Sequence, residues 1–152
     1  MTGFTLDHAG LTVSDLPGMQ AWYAEAFGLV TEFEFALEQL AFAGVMLRGD
    51  GSAGAYRLEL LHRAGSTVGP RGANPVDAAL VTGFGHIAFD VPDVDAAYDR
   101  LLGLGATDRM SPRPSPEPGV RMAYVADPEG NLVELLDRTV AYARAATEAG
   151  AP

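Results

Sequence analysis

Two stretches of the chain alternate apolar and polar positions in the same way. In Asp7-His8-Ala9-Gly10-Leu11-Thr12-Val13-Ser14-Asp15, an extended strand puts Ala9, Leu11 and Val13 on one side and His8, Gly10 and Thr12 on the other. His86 stands 78 residues after His8 and opens Ile87-Ala88-Phe89-Asp90-Val91-Pro92-Asp93, with Ile87, Phe89 and Val91 facing away from it. Each strand gives way to helical spacing that closes on a glycine: Trp22-Tyr23 to Phe27-Gly28 in one half, and Tyr98, Leu101-Leu102 to Leu104-Gly105 in the other. Ser14 or Asp15 is placed to cap the first helix, and Asp93 the second. The halves also end alike, on Leu58-Glu59-Leu60-Leu61-His62-Arg63 and Val133-Glu134-Leu135-Leu136-Asp137-Arg138. Histidine and glutamate are 51 residues apart in the first half and 48 in the second, so the chain contains an internal repeat.

The periodicity predicts an α+β fold of two tandem β-α-β-β-β modules. The strands are expected at 4–13, 31–36, 39–48 and 55–63, then at 83–91, 106–110, 119–126 and 131–137. Asp127-Pro128-Glu129-Gly130 fits a type I turn joining the last two. The modules span 4–63 and 83–138, joined by a Gly- and Pro-containing linker at 64–82, and an Ala-rich helical tail follows over 139–152. Ser111 to Pro118, with four prolines, is expected to be a loop.

Composition narrows the function. Of 152 residues, 48% are hydrophobic and none is cysteine, so disulfides, thiolate metal sites and cysteine nucleophiles are excluded. A formal net charge of −10 disfavours nucleic acid and anionic membrane surfaces as partners. No stretch approaches the roughly 18 apolar residues of a membrane span, nor does the N-terminus resemble a secretory leader. The expectation is a cytoplasmic protein acting on a small molecule.

A carboxylate inside an otherwise apolar strand is costly unless it is paired or coordinated. Each half carries one such carboxylate and one histidine on the face opposite its apolar side chains. Two short curved sheets packed edge to edge would form a cup on which His8, Glu59, His86 and Glu134 converge. Two imidazoles and two carboxylates suit a divalent ion such as Ni, Co, Mn, Zn or Fe. His62 has no counterpart, since Asp137 stands in its place, and it is expected at a solvent-facing strand end. Phe35, Phe42, Met46, Met110, Met122 and Tyr124 are the candidate walls of a substrate pocket, with 111–118 at its mouth.

Four motifs, namely His8-Ala-Gly-Leu-Thr-Val-Ser-Asp, Arg57-Leu-Glu59-Leu-Leu, Gly85-His86-Ile-Ala-Phe-Asp-Val-Pro-Asp-Val-Asp and Asp127-Pro-Glu-Gly-Asn131-Leu-Val-Glu134-Leu, resemble the vicinal oxygen chelate superfamily. That group holds glyoxalase I, methylmalonyl-CoA epimerase, extradiol dioxygenases, fosfomycin-resistance enzymes and bleomycin-binding proteins. The resemblance implies a divalent metal at His8, Glu59, His86 and Glu134, with Glu134 or Glu59 acting as catalytic base on an oxygenated substrate. It also places Glu38 near an additional catalytic glutamate of the epimerases, and implies a homodimer. Bacterial glyoxalase I carries an arginine for glutathione soon after the first helix, whereas Val30-Thr31-Glu32-Phe33-Glu34 holds none. The activity implied is that of a metal-dependent lyase or isomerase. The alternatives are an Fe(II) extradiol-type dioxygenase and a non-catalytic, antibiotic-binding resistance protein. The second lacks the ligands that are intact here.

Overall fold

Each half of the chain folds a four-stranded mixed sheet with one helix against one face. The structure is a computed structural model, and it describes residue 3, residues 5–51 and residues 54–138. The chain divides into two units, Met1–Val68 and Gly69–Pro152. In the first, β1 (Ala9–Thr12), α1 (Leu16–Phe27), β2 (Val30–Leu37), β3 (Phe42–Gly51) and β4 (Gly54–Arg63) give the order β1-β4-β3-β2. In the second, α2 (Pro75–Ala78) precedes β5 (Ile87–Asp90), α3 (Val94–Gly103), β6 (Thr107–Pro114), β7 (Arg121–Ala126) and β8 (Leu132–Asp137), in the order β5-β8-β7-β6. The β-α-β-β-β succession and the α+β class match expectation. In both units the first strand pairs parallel with the last, while the other pairings are antiparallel.

The helices form where the caps predict. Asp15 accepts a hydrogen bond from the Gly18 backbone N–H at 3.1 Å, and Asp93 accepts one from Ala96 at 3.0 Å. Gly28 ends α1 in the left-handed conformation (φ 67°) that a side chain would strain. In the first unit, Val45, Leu47, Leu58 and Leu60 are buried, as are Met19, Trp22, Tyr23 and Ala26 of α1. Val94, Tyr98 and Leu101 of α3, with Ala123, Val125, Val133 and Leu135 of the sheet, are the equivalent core of the second unit. One face of each sheet is thus taken up by core, which leaves the other for function.

Several boundaries differ from expectation. The strands expected at 4–13 and 83–91 start their ladders only at Ala9 and Ile87, so each histidine immediately precedes its strand. The strand expected from 39 begins at Phe42, because Glu38–Leu40 form a 3₁₀ turn closed by Ala41 N–H on the Glu38 carbonyl at 3.0 Å. The linker contains α2, nucleated by Asn74, whose side chain accepts from the Val76 and Asp77 amides, and by Pro75 at the first helical position.

The largest difference is in the Pro-rich stretch, whose residues 111–114 extend β6 rather than forming a loop. β6 is an edge strand, so a missing proline donor on its outer side breaks no ladder bond, and register shifts at Asp108/Met110 and Met110/Arg113 absorb the irregularity. His62 is not solvent-facing: it is half-buried, and its Nδ1 donates to the Val13 carbonyl at 3.1 Å. The Ala-rich tail at 139–152 lies outside the described residues.

The β7–β8 turn is the tightest polar feature. Gly130 N–H bonds the Asp127 carbonyl at 2.9 Å, as the turn motif requires, and Gly130 has φ 88°. The Asp127 carboxylate, 2% exposed, accepts from the Glu129 amide (3.0 Å), the Asn131 amide (2.8 Å) and the Asn131 side-chain amide (2.8 Å). Asp127→Ala is expected to cost about 3 kcal/mol in urea denaturation, because buried donors on Asn131 lose their acceptor. Asp127→Asn is expected to cost clearly less.

Candidate metal centre

The registers of the two sheets place the same residues together twice. Gly10, two residues after His8, lies across from Glu59, and Ala88, two residues after His86, lies across from Glu134. Histidine and glutamate therefore share the face away from the helix. In the first unit His8 Nε2 lies 3.4 Å from Glu59 Oε2, and in the second His86 Nε2 lies 3.0 Å from Glu134 Oε2. The carboxylates are the more enclosed partners, with side-chain exposures of 19% and 12% against 36% and 40% for the imidazoles.

The apolar candidates lie on the same faces. Met46 stands directly across from Glu59, and Phe35 and Phe42 flank Gly44 further along that face, their rings 5.8 Å apart. A side chain at Gly44 would meet the Phe35 ring at 2.6 Å, so glycine there lets the ring lie over the strand. In the second unit Tyr124 lies across from Glu134 and between it and Met110, with Met122 two residues along. The Tyr124 hydroxyl donates to Glu134, its ring meets the His86 ring edge-on at 5.3 Å, and burial, then that bond, hold its phenol above the ordinary range. Glu38 is not brought to Glu59. It sits at the β2–β3 turn, beyond Phe42, which is itself four strand positions or about 13 Å from the Glu59–Met46 row.

The first unit also holds a polar chain that the repeat does not reveal. His8 Nδ1 donates to Asp7 at 2.8 Å. Arg57, two residues before Glu59, binds Asp7 at 3.2 Å and grips Glu32 with two bonds of 2.7 and 2.8 Å. Glu32 is the extra residue of a bulge between Thr31 and Phe33, and the bulge turns it toward Arg57. Hydrogen bonding to His8 and the Arg57 charge hold the Asp7 carboxyl below its usual value, and bonding to Asp7 raises His8. The signals for this chain were local: an acid beside the histidine and an arginine beside the glutamate. Only the bulge explains why Glu32 completes it.

The donor set fits a divalent ion. Each Nε2 faces a carboxylate oxygen, and Asp7 on Nδ1 fixes the His8 ring with Nε2 as the free donor, the usual support of a ligating histidine. Among the described residues no three histidine or carboxylate side chains are gathered in ligating geometry, so either unit by itself offers a pair. The second unit has a cleft of about 480 Å³ beside its pair, lined by His86, Tyr124, Leu132 and residues of the 75–85 segment. The Pro-rich residues 111–118 do not line it.

The strand order and the helix-covered sheets define a duplicated β-α-β-β-β protein. The chain belongs to the Glyoxalase/Bleomycin resistance protein/Dioxygenase superfamily, whose family model matches residues 5–135. A probable lactoylglutathione lyase of Vibrio parahaemolyticus is 32% identical over 90% of this chain and 92% of its own. Biphenyl-2,3-diol 1,2-dioxygenase 3 of Rhodococcus globerulus is 30% identical over 86% of this chain and 61% of its own. A glyoxalase family protein from Enterococcus faecalis shares the fold, with a TM-score of 0.72 at 20% identity, covering 90% of this chain and all of that one. Among the described residues no helix is long and apolar enough to cross a membrane.

In the metal-free protein the His8 imidazole is expected to titrate above its ordinary 6.5. A raised value stabilises the fold fully below about 6.5, and that contribution fades as pH rises through the folded value. NMR titration of the His8 ring should show the elevated midpoint, and Asp7→Asn should bring it down.

Proposed function

We propose that this chain is a divalent-metal-dependent lyase or isomerase of the glyoxalase kind, with His8, Glu59, His86 and Glu134 as the protein ligands of one ion. The observation that carries the reading is the repetition: one histidine and one glutamate on the open face of each sheet, at the same register, with Nε2 and Oε2 3.4 and 3.0 Å apart. Two donors do not make a site for Ni, Co, Mn, Zn or Fe, so a complete one draws on two units, of one chain or of two. A homodimer belongs to the same reading, as the commonest closed symmetry. The substrate class is a small molecule with neighbouring oxygens, such as the thiol conjugate in the name of the Vibrio relative.

A bound ion would supply Lewis acidity to those oxygens. The chain's own part is to move a proton. A carboxylate takes it from the carbon beside the substrate carbonyl and returns it to the neighbouring carbon, which leaves the atom count of the substrate unchanged. Glu59 and Glu134 are unequally suited. Glu134 is tethered by the Tyr124 hydroxyl, whereas Glu59 has Met46, which offers no hydroxyl, in the corresponding place. Glu59 is therefore the carboxylate freer to swing toward substrate, and Glu134 the steadier ligand. Glu38 has no part in this scheme.

Elemental analysis of purified protein is expected to find Ni, Co, Mn or Zn, with occupancy lost in His8→Ala and in His86→Ala. Turnover of the methylglyoxal–glutathione adduct is the first activity to assay. Unchanged metal content in both variants would sink the reading. Oxygen-sensitive iron with catechol cleavage would establish instead the dioxygenase alternative, for which the Rhodococcus relative speaks. Tyr124→Phe should leave the fold intact and lower turnover, and light scattering should give twice the 15.9 kDa of one chain.

A further inference from the structure

Neither histidine is fixed by its own strand. The β1 ladder begins with Ala9 opposite Leu58 and the β5 ladder with Ile87 opposite Val133, so His8 and His86 lie one residue outside them. In the first unit side chains take over that task. The Asp7 carboxylate accepts from His8 Nδ1 on one oxygen (2.8 Å) and from Arg57 Nη1 on the other (3.2 Å). The Nε and Nη2 groups of Arg57 donate to the two oxygens of Glu32, at 2.7 and 2.8 Å. One guanidinium thus joins the bulge of β2, the end of the β1–β4 ladder and the residue before His8.

The second unit repeats the bulge without this chain. Its register skips Arg109 between Asp108 and Met110, as the first skips Glu32 between Thr31 and Phe33. The rows beside the two bulges correspond, Phe33–Met46–Glu59 in one sheet and Met110–Tyr124–Glu134 in the other. Arg109 therefore stands where the first unit has Glu32, Leu132 where it has Arg57, and Gly85 where it has Asp7. Far from completing a chain, the Nε of Arg109 is buried with no hydrogen-bond partner among the described residues. Since the bulge and the sheet form without them, folding alone does not account for Asp7, Glu32 and Arg57.

Asp7 is 66% exposed, and a carboxylate so open to water holds a ring weakly by itself. A guanidinium gripped by two bonds gives it a fixed anchor. That guanidinium is also a rival. Arg57 precedes Glu59 by two residues on one strand, so the two share a face about 7 Å apart along it, within reach of an arginine side chain. Arg57 nevertheless bonds Glu32 and Asp7 and not Glu59. We infer that Arg57 is a positioning residue of the first half-site: held by Glu32, it orients His8 through Asp7 and is itself kept off Glu59. The inference rests on the reading of His8 and Glu59 as ligands, and goes beyond it in assigning their control to Glu32, which touches neither.

The test titrates the full chain, stripped of metal, with Zn²⁺ by calorimetry, and reads the histidine rings of the stripped protein by ¹H–¹⁵N spectra at alkaline pH. The wild type is expected to hold His8 as the Nδ1–H tautomer. Glu32→Gln and Arg57→Leu should each weaken zinc binding about tenfold, the scale for partners behind a ligand, and give His8 a mixture of tautomers with His62 unchanged. Leucine is compatible with that place, since Leu132 fills it in the second sheet. Because Glu32 acts only through Arg57, the double variant should lose no more than Arg57→Leu alone. Arg121→Gln, which breaks a similar two-bonded pair with Asp95 in the second unit, controls for lost stability and should change neither readout. A His8 ring and a zinc affinity that stay at wild-type values in Glu32→Gln, or losses that add in the double variant, overturn the inference and leave the lyase reading standing. If the wild type takes up no zinc, the lyase reading falls, and the tautomers alone decide for or against Arg57.

Discussion

A β-strand has two faces, and a helix can cover only one of them. In both units the covered face is fixed by Leu58 and Leu60, or by Val133 and Leu135, all of which are buried. Glu59 and Glu134 lie between those pairs, so alternation sends their carboxylates to the opposite face. The parallel ladder with β1 or β5 then sets which histidine each one meets. A slip of one residue in either strand would bury the carboxylate in the core and expose a leucine, which makes the register costly to change. The chemistry of the protein is therefore specified by its packing, and the polar pairs are placed by residues that never touch them.

The repeat is faithful where packing dictates it and loose elsewhere. Register, strand order, capping aspartates and the His–Glu pair are duplicated. The surroundings of the pairs are not. Asp7, itself bonded by Arg57, which also grips Glu32, holds the His8 ring, whereas His86 has an aromatic neighbour in Tyr124. The two halves thus present similar donors in different surroundings. That asymmetry is what a reaction needs if one carboxylate is to stay put while another moves a proton.

Much of this was legible in the sequence because it depends on periods of two and on local caps. The α+β class, the succession of elements and the shared face of His8 with Glu59 and of His86 with Glu134 follow from which positions are apolar. So does the placement of Met46, Phe35 and Phe42 on that face in one unit, and of Tyr124, Met110 and Met122 in the other. What was not legible depends on where a strand sits in its sheet. Prolines at 112 and 114 read as loop because a central strand excludes them, and only the edge position of β6 admits them. The bulge at Glu32 likewise breaks the alternation from which its direction would have been read, and the helix in the linker hung on a single asparagine cap.

The same edge has a bearing on how copies of the protein meet. Sheets extend when a bare row of donors and acceptors finds another, and in crowded solution that is a route to fibrils. Pro112 and Pro114 remove donors from β6, and two register shifts break what remains into short, unevenly spaced runs. A second chain arriving at that side finds no continuous template to add to. Edge pairing along β6 is thereby disfavoured, and the irregularity that hides this strand in the sequence is also what blunts it as a template.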